Sequence, residues 1–154
     1  MGAIMEILEG VEWGEIDFLI VDLPPGTGDE TLTIAQNLGI GSKAIVVTTP
    51  QDVALLDSRK SVKFATLVNQ ELIGVVENMS GFVCPECGKE INIFKKGGAE
   101  KMAKEMEADF LGSIPMEASI VEAGDTGKPY ISTDSIASRK LDAIISRVIE
   151  KVEK

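Results

Sequence analysis

The sequence predicts an α/β fold, a parallel sheet with helices on both faces, in a single domain. Three observations predict it. Short apolar, β-branched runs alternate along the chain with longer stretches of helical periodicity, the pattern of βαβ units. The runs are apolar at nearly every position instead of every second one, so both faces of the sheet are covered. Each run ends at a proline, a glycine or a polar turn residue, which bounds it to strand length.

Residues 3–11 carry Ile4, Ile7, Leu8 and Val11, a helical stripe, and Trp13-Gly14 ends it. Asp17-Phe-Leu-Ile-Val-Asp-Leu23 follows, with five of its seven residues apolar, and is expected to be a strand buried on both faces. Its exception, Asp22, lies near the strand's C-terminal end. A carboxylate there is costly unless a metal, a charge or donors meet it. In open α/β sheets ligands sit beyond the carboxyl ends of the strands, where an Asp can hold Mg²⁺ through water. The plainer reading is an Asp that caps its own loop. Pro24-Pro25 stops the strand, and Gly26-Thr27-Gly28 forms a turn of small residues with free N–H groups.

Asp29 to Leu38 reads as a helix with Leu32, Ala35 and Leu38 on one face and Gly39 as its stop. Lys43 to Thr49 is the second strand, broken by Pro50, and Asp52 can cap the next helix, which runs to about Val68. That helix turns Ala54, Leu55, Ser58, Val62, Ala65 and Val68 inward. The third strand, within Glu71 to Asn78, has Leu72 to Val76 at its centre. Asn78 ends it at the same sheet edge as Asp22. Its amide suits an adenine edge, and as a turn-former after a strand it has an equally ordinary use, the one favoured by the residue alone.

Residues 79–94 interrupt the pattern as a loop-like insert carrying Cys84-Pro-Glu-Cys87-Gly88. A helix resumes over 97–108, with Ala99, Met102, Ala103 and Met106 on one face. A fourth strand covers 109–114, a short helix 117–123 stops at Gly124, and 127–129 is a turn. The last helix, 133–152, repeats apolar pairs such as Ile144/Ile145. Its polar face mixes both signs of charge, so it is expected to pack on the sheet instead of lying on a membrane. Lys95-Lys-Gly-Gly98 has the look of a phosphate loop, but no strand precedes it and no Lys-Ser/Thr ends it. It reads as a helix start.

Composition narrows the function. The net charge of −10 disfavours binding to nucleic acid or anionic membranes. No apolar run approaches a membrane span, and residues 1–10 do not form a signal peptide. The chain has two cysteines, close together, and no histidine. This fits a reducing, cytoplasmic setting and removes His-based catalysis and His metal sites.

Cys84-x-x-Cys87 leaves several readings open: half of a shared metal site, a redox pair, or an inert pair, with a structural disulfide disfavoured in the cytosol. A zinc site takes four ligands, which this chain alone does not hold as Cys and His. Two chains related by a two-fold axis would bring four thiolates, enough for a [4Fe–4S] cluster or a zinc ion.

Three segments together resemble the Mrp/ApbC-type iron–sulfur carrier ATPases, deviant P-loop proteins related to MinD. Residues 17–29 resemble that family's Walker B and switch segment. Val76-Glu-Asn-Met-Ser-Gly-Phe-Val-Cys-Pro-Glu-Cys-Gly88 resembles its base-contact Asn and Cys-x-x-Cys. Leu111 to Met116, with Asp125-x-Gly-Lys-Pro129, resembles its C-terminal nucleotide-pocket segment. The resemblance implies ATP and Mg²⁺ as ligands. Asp22 would be catalytic and hold the metal, Gly26, Thr27 and Gly28 would sense the γ-phosphate, and Asn78 and Pro115 would line the base pocket. Cys84 and Cys87 would hold a [4Fe–4S] cluster across a homodimer, with zinc as the alternative, for delivery to apo iron–sulfur proteins. The family opens with a strand and a Lys-Gly-Gly-x-Gly-Lys-Ser/Thr loop that nothing in residues 1–15 resembles. Residues 1–154 are therefore expected to be the C-terminal portion of a P-loop NTPase-like domain without its N-terminal strands and Walker A loop, with 79–94 as a metal-binding insert. ATPase activity is then expected of the full-length parent and not of this chain alone. Two other classes remain: a non-catalytic metal-binding or interaction module, and a MinD/ParA-like positioning ATPase.

Overall fold

A computed structural model describes residues 2–38, 41–84, 86–87 and 89–153. Its centre is a parallel sheet of three strands in the order β1-β2-β5: β1 is Lys43–Thr48, β2 Glu71–Glu77 and β5 Phe110–Ser113. Helix α3 (Asp52–Leu67) links β1 to β2, and α4 (Gly98–Glu105) precedes β5, the crossovers that parallel pairing demands. Two short strands, β3 (Phe82–Val83) and β4 (Glu90–Ile91), pair antiparallel as a separate ribbon.

Two apolar layers sandwich the sheet. On one face Val46 and Val75 pack with Leu55 and Val62 of α3 and Ala99, Met102 and Ala103 of α4. On the other, Ile73, Val76, Leu111 and Ile114 pack with Ala137 and Ile144 of α6 (Ile136–Val152). Strict alternation would send Ile73 and Val75 to the same face. They part because the register slips: Ala44 pairs with Leu72, but Ile45 pairs with Gly74, so Ile73 is an extra residue, a bulge. Gly74 permits this. A Cβ there would stand 2.6 Å from the Asp109 carbonyl oxygen and 2.8 Å from Leu111 Cγ.

Most helices form where periodicity places them. In α3, Leu55, Ser58, Val62 and Ala65 are buried, as the apolar stripe requires. Its N-cap is Gln51, however, and Asp52 is the first helical residue, ion-paired with Lys95. Helix α4 starts at Gly98 after a left-handed Gly97, so Lys95 to Gly98 does lead into a helix. Helix α5 (Ala118–Thr126) passes through Gly124 and stops at Gly127, whose positive φ supplies the left-handed C-cap. Helix α6 starts at Ile136, with Ser135 as its N-cap accepting the Ser138 N–H at 3.0 Å. It packs on β5 and β2, as expected of its apolar pairs. The expected stop at Gly39, and the Pro85 and Gly88 of the Cys knuckle, lie outside the described residues.

The largest difference is the first strand. Between α1 (Gly2–Gly10) and α2 (Asp29–Leu38), residues 11–28 form neither helix nor strand. Phe18 is 52% exposed and Ile20 86%. A strand is a property of a pair: extended-prone residues become one only where a neighbour supplies N–H and C=O partners. Among the described residues nothing pairs with 17–23, and β1 pairs only with β2. The outward-facing Ile45 and Val47 of β1 are left 43% and 60% exposed. The composition of 17–23 is that of a buried strand, but its ladder partner is absent from the described sheet.

Candidate nucleotide edge and cysteine hairpin

The parallel strands end together. Thr48, Glu77 and Ser113 stand in register at the C-terminal ends of β1, β2 and β5. The chain then crosses itself through backbone bonds. The Asn78 N–H donates to Thr48 O at 2.7 Å, the Ile114 N–H to Glu77 O at 2.8 Å and the Ser80 N–H to Ile114 O at 2.9 Å. Asn78 and the Ile114-Pro115 turn are thereby fixed to one sheet edge, where α/β proteins bind ligands. Two of the sequence-derived pocket candidates, Asn78 and Pro115, are brought together, both half-buried. Asn78 Oδ1 accepts the Met79 N–H at 2.9 Å, the loop-forming use that its residue type favours.

Asp22, Gly26, Thr27 and Gly28 are not brought into this edge as strand-borne groups. They lie in the exposed coil before α2. Gly26 takes φ +99°, a conformation glycine alone adopts without strain. Gly28 leads into α2, its carbonyl accepting the Leu32 N–H at 3.1 Å.

The cysteines sit in the turn of the β3–β4 ribbon. Phe82 pairs with Ile91 and Val83 with Glu90, and the Cys84 N–H donates to Lys89 O at 3.0 Å, so both ends of the turn are closed. Cys84 is half-buried, Cys87 is exposed, and both are free thiols. The backbone N–H groups of Glu86 and Cys87, with the Cys87 side chain, hold the Cys84 thiol below its ordinary value. Two soft sulfur donors on a closed turn, one of them exposed, can grip one edge of a metal or cluster. Among the described residues no group of three or more Cys, Asp or Glu side chains could hold a metal ion.

Sequence reasoning passed over Glu77. It is fully buried, 0% exposed, at the end of β2. Ser80 Oγ donates to Oε1 at 2.5 Å, the Gly97 N–H to Oε1 at 2.8 Å and the Ala99 N–H to Oε2 at 2.7 Å. The signal was present: a carboxylate directly after the apolar run Leu72 to Val76, as conspicuous as Asp22 after its own run.

Comparison with known proteins identifies the family and the fold. The family model of the NUBPL iron-transfer P-loop NTPases (ParA) matches residues 1–152. The iron–sulfur cluster carrier protein of Methanocaldococcus jannaschii is 50% identical over 99% of this chain and 52% of its own length. The mouse iron–sulfur cluster transfer protein NUBPL is 46% identical over 85% of this chain and 41% of its own. The chain thus spans about half the length of these curated relatives. Among solved structures, a nucleotide-binding protein from Archaeoglobus fulgidus in complex with ADP superposes with a TM-score of 0.73 at 36% identity, covering 84% of this chain and 53% of that one. The septum site-determining protein MinD of Pyrococcus horikoshii gives 0.65 at 22% identity, over 97% of this chain and 55% of that one, a likeness of fold. The α/β architecture is that of P-loop NTPases, and the chain belongs to the NUBPL iron-transfer P-loop NTPase family.

Proposed function

We propose that this chain is the cluster-bearing part of an ATP-dependent iron–sulfur carrier. Its cargo is a [4Fe–4S] cluster held between two copies by Cys84 and Cys87 of each, and its recipients are apo iron–sulfur proteins. The observation that carries the reading is the thiol pair on the closed turn of the β3–β4 ribbon, open to solvent at Cys87, in a chain with no other cysteine and no histidine. Two thiolates supply half of the ligands that a cluster of this type takes, and a two-fold axis supplies the rest. The relatives named iron–sulfur cluster carriers support the cargo, and the ADP complex of the Archaeoglobus protein supports the nucleotide.

In this reading Asn78 and Pro115 line the base pocket at the sheet edge. Asp22 holds Mg²⁺ through water, and Gly26, Thr27 and Gly28 sense the γ-phosphate. ATP state then biases the dimer that holds the cluster. The compartment is the cytoplasm, where thiols stay reduced. Among the described residues no helix is long and apolar enough to cross a membrane.

Anaerobic reconstitution with iron and sulfide is expected to give close to one cluster per two chains, with a shift to dimer on gel filtration. Cys84→Ala and Cys87→Ala are each expected to abolish both signals, because each removes two of the four ligands from the dimer. A cluster that survives in either variant, or a metal-loaded monomer, overturns the shared site.

The exposed coil holding Asp22 and Gly26 to Gly28 favours a second reading, a metal-binding module without nucleotide. Contacts that are not preorganised must be ordered at binding, which costs affinity. This chain is accordingly expected to bind a fluorescent Mg-ATP analogue weakly, and a micromolar dissociation constant would remove the second reading.

A further inference from the structure

We propose that Glu77 is a positioning residue that fixes the cysteine-bearing hairpin to the sheet edge by holding both ends of the insert in one carboxylate. The inference rests on the reading of Cys84 and Cys87 as cargo ligands for its functional meaning, but not for its geometry. The backbone of Glu77 is locked in the sheet: it pairs with Thr48 on one side and Ser113 on the other. From this fixed point the side chain reaches to where the insert leaves and where it returns. At the exit, the Ser80 hydroxyl donates to Oε1 at 2.5 Å. At the return, the Gly97 N–H donates to the same oxygen at 2.8 Å and the Ala99 N–H to Oε2 at 2.7 Å.

The β3–β4 pairing closes the hairpin on itself, and the ties described from its ends to the rest of the chain each join one end to a different element. Met116 N–H donates to Gly81 O at 2.8 Å, and Phe82 bridges to Met116. Lys95 pairs with Asp52 at 2.5 Å on an exposed surface, where ion pairs hold weakly. Glu77 alone among these joins exit to return. It is also the neighbour of Asn78, whose N–H is bonded to Thr48 O. The residue that precedes the candidate base contact therefore sets the base of the hairpin that presents the thiols. A glutamate suits the task and glutamine does not. All three partners are donors, and a carboxylate accepts at both oxygens, whereas an amide would turn an NH₂ toward an N–H or the hydroxyl. The sequence needs a fully buried carboxylate here, which it would otherwise avoid.

The test compares wild type with Glu77→Gln and Ser80→Ala in the metal-free full chain. Amide exchange is read at Gly97 and Ala99, with β5 and α6 as internal references. A spin label on Cys87, in a Cys84→Ala background, reports hairpin mobility. In Glu77→Gln the two amides are expected to exchange at least about tenfold faster, and the label to become more mobile, while β5 and α6 change less than about twofold. Ser80→Ala, which removes only the hydroxyl arm, is expected to mobilise the label to a smaller degree and to lower the melting temperature less than Glu77→Gln does. Unaltered exchange and label mobility in Glu77→Gln overturn the proposal. So does loosening that spreads equally to β5 and α6, which would mark Glu77 as a general core residue. Should Glu77→Gln fail to fold, an immobile label in Ser80→Ala overturns it. Reconstitution separates the two readings: a loosened hairpin in a protein whose wild type assembles no cluster supports the clamp and overturns the cargo. With both correct, Glu77→Gln assembles less cluster than wild type at equal folded fraction.

Discussion

Cys84 and Cys87 are three positions apart in sequence but differ in environment. The turn folds back so that the N–H groups of Glu86 and Cys87 face the Cys84 sulfur and stabilise its thiolate. A thiolate is the form that alkylates and that binds metal. Because the folded value is lowered, the thiolate persists to lower pH than in an unfolded peptide. Alkylation of Cys84 in the folded, metal-free chain, mapped by mass spectrometry, is expected to have its pH midpoint below that of the same residue in urea. A coincident midpoint would show that the turn's donors do not reach the sulfur. The cysteine pair was legible from spacing alone, and so was Asn78 as a strand-ending residue. What spacing cannot reveal is which donors face each atom. Glu77 illustrates this, for its partners Gly97 and Ala99 lie across the whole insert.

At the scale of elements, helices were more readable than strands, and the reason is physical. A helix satisfies its own backbone, so the periodicity of α3 or α6 suffices to locate it. A strand needs a partner, and the run 17–23 has none among the described residues. Helix ends depend on contacts that periodicity omits. Gly98 opens α4, where alanine would ordinarily gain up to about 1 kcal/mol in helix propensity. Yet a Cβ there would stand 2.7 Å from the Pro50 carbonyl oxygen and 2.9 Å from Leu55 Cδ1. Overpacking against backbone costs about 1–3 kcal/mol, so Gly98→Ala is expected to lower the melting temperature, measurable by calorimetry. A rise would mean that α4 can slide away from Pro50.

Glu117, the N-cap of α5, reaches instead to the start of α6, where its carboxylate accepts the Ile136 N–H at 3.2 Å and the Ala137 N–H at 2.9 Å. Burial raises its pKa, but the Ala137 N–H, the Ser135 hydroxyl and the Ile136 N–H outweigh it and hold the group below its ordinary value of 4.5. The capping contribution is therefore complete above that ordinary value and is lost as pH falls through the lowered, folded one. Glu117→Gln is expected to destabilise the chain by about 1 kcal/mol at neutral pH, a typical capping loss. The difference from wild type should shrink as the pH is taken down through the folded value. Denaturant melts at pH 7 and pH 3 check both statements, and a pH-independent difference would assign the effect to packing.

The whole molecule is closed on one side and open on the other. Helix α6 covers β2 and β5, leaving Ile45 and Val47 of β1 uncovered at 43% and 60% exposure, and β1 has no strand on its outer edge among the described residues. Ile16, Phe18, Leu19, Ile20 and Leu23 add exposed apolar surface in the coil. An unpaired edge offers a row of N–H and C=O groups to another chain, and apolar patches beyond about 400 Å² mark association or aggregation. The net charge of −10 opposes this by repulsion, which salt screens. Self-association is therefore expected to grow as salt is raised, the opposite of an assembly held by ion pairs. Sedimentation velocity on the metal-free chain over a range of salt reads it directly. Val47→Lys, which places a charge on the uncovered face of the edge strand, is expected to suppress the association without lowering the melting temperature. Cys87→Ala is expected to leave it intact, because this contact is made by the edge and not by the hairpin. A monomer at high concentration and high salt would show that the coil residues cover the edge in solution, whereas association lost in Cys87→Ala would move the contact to the hairpin.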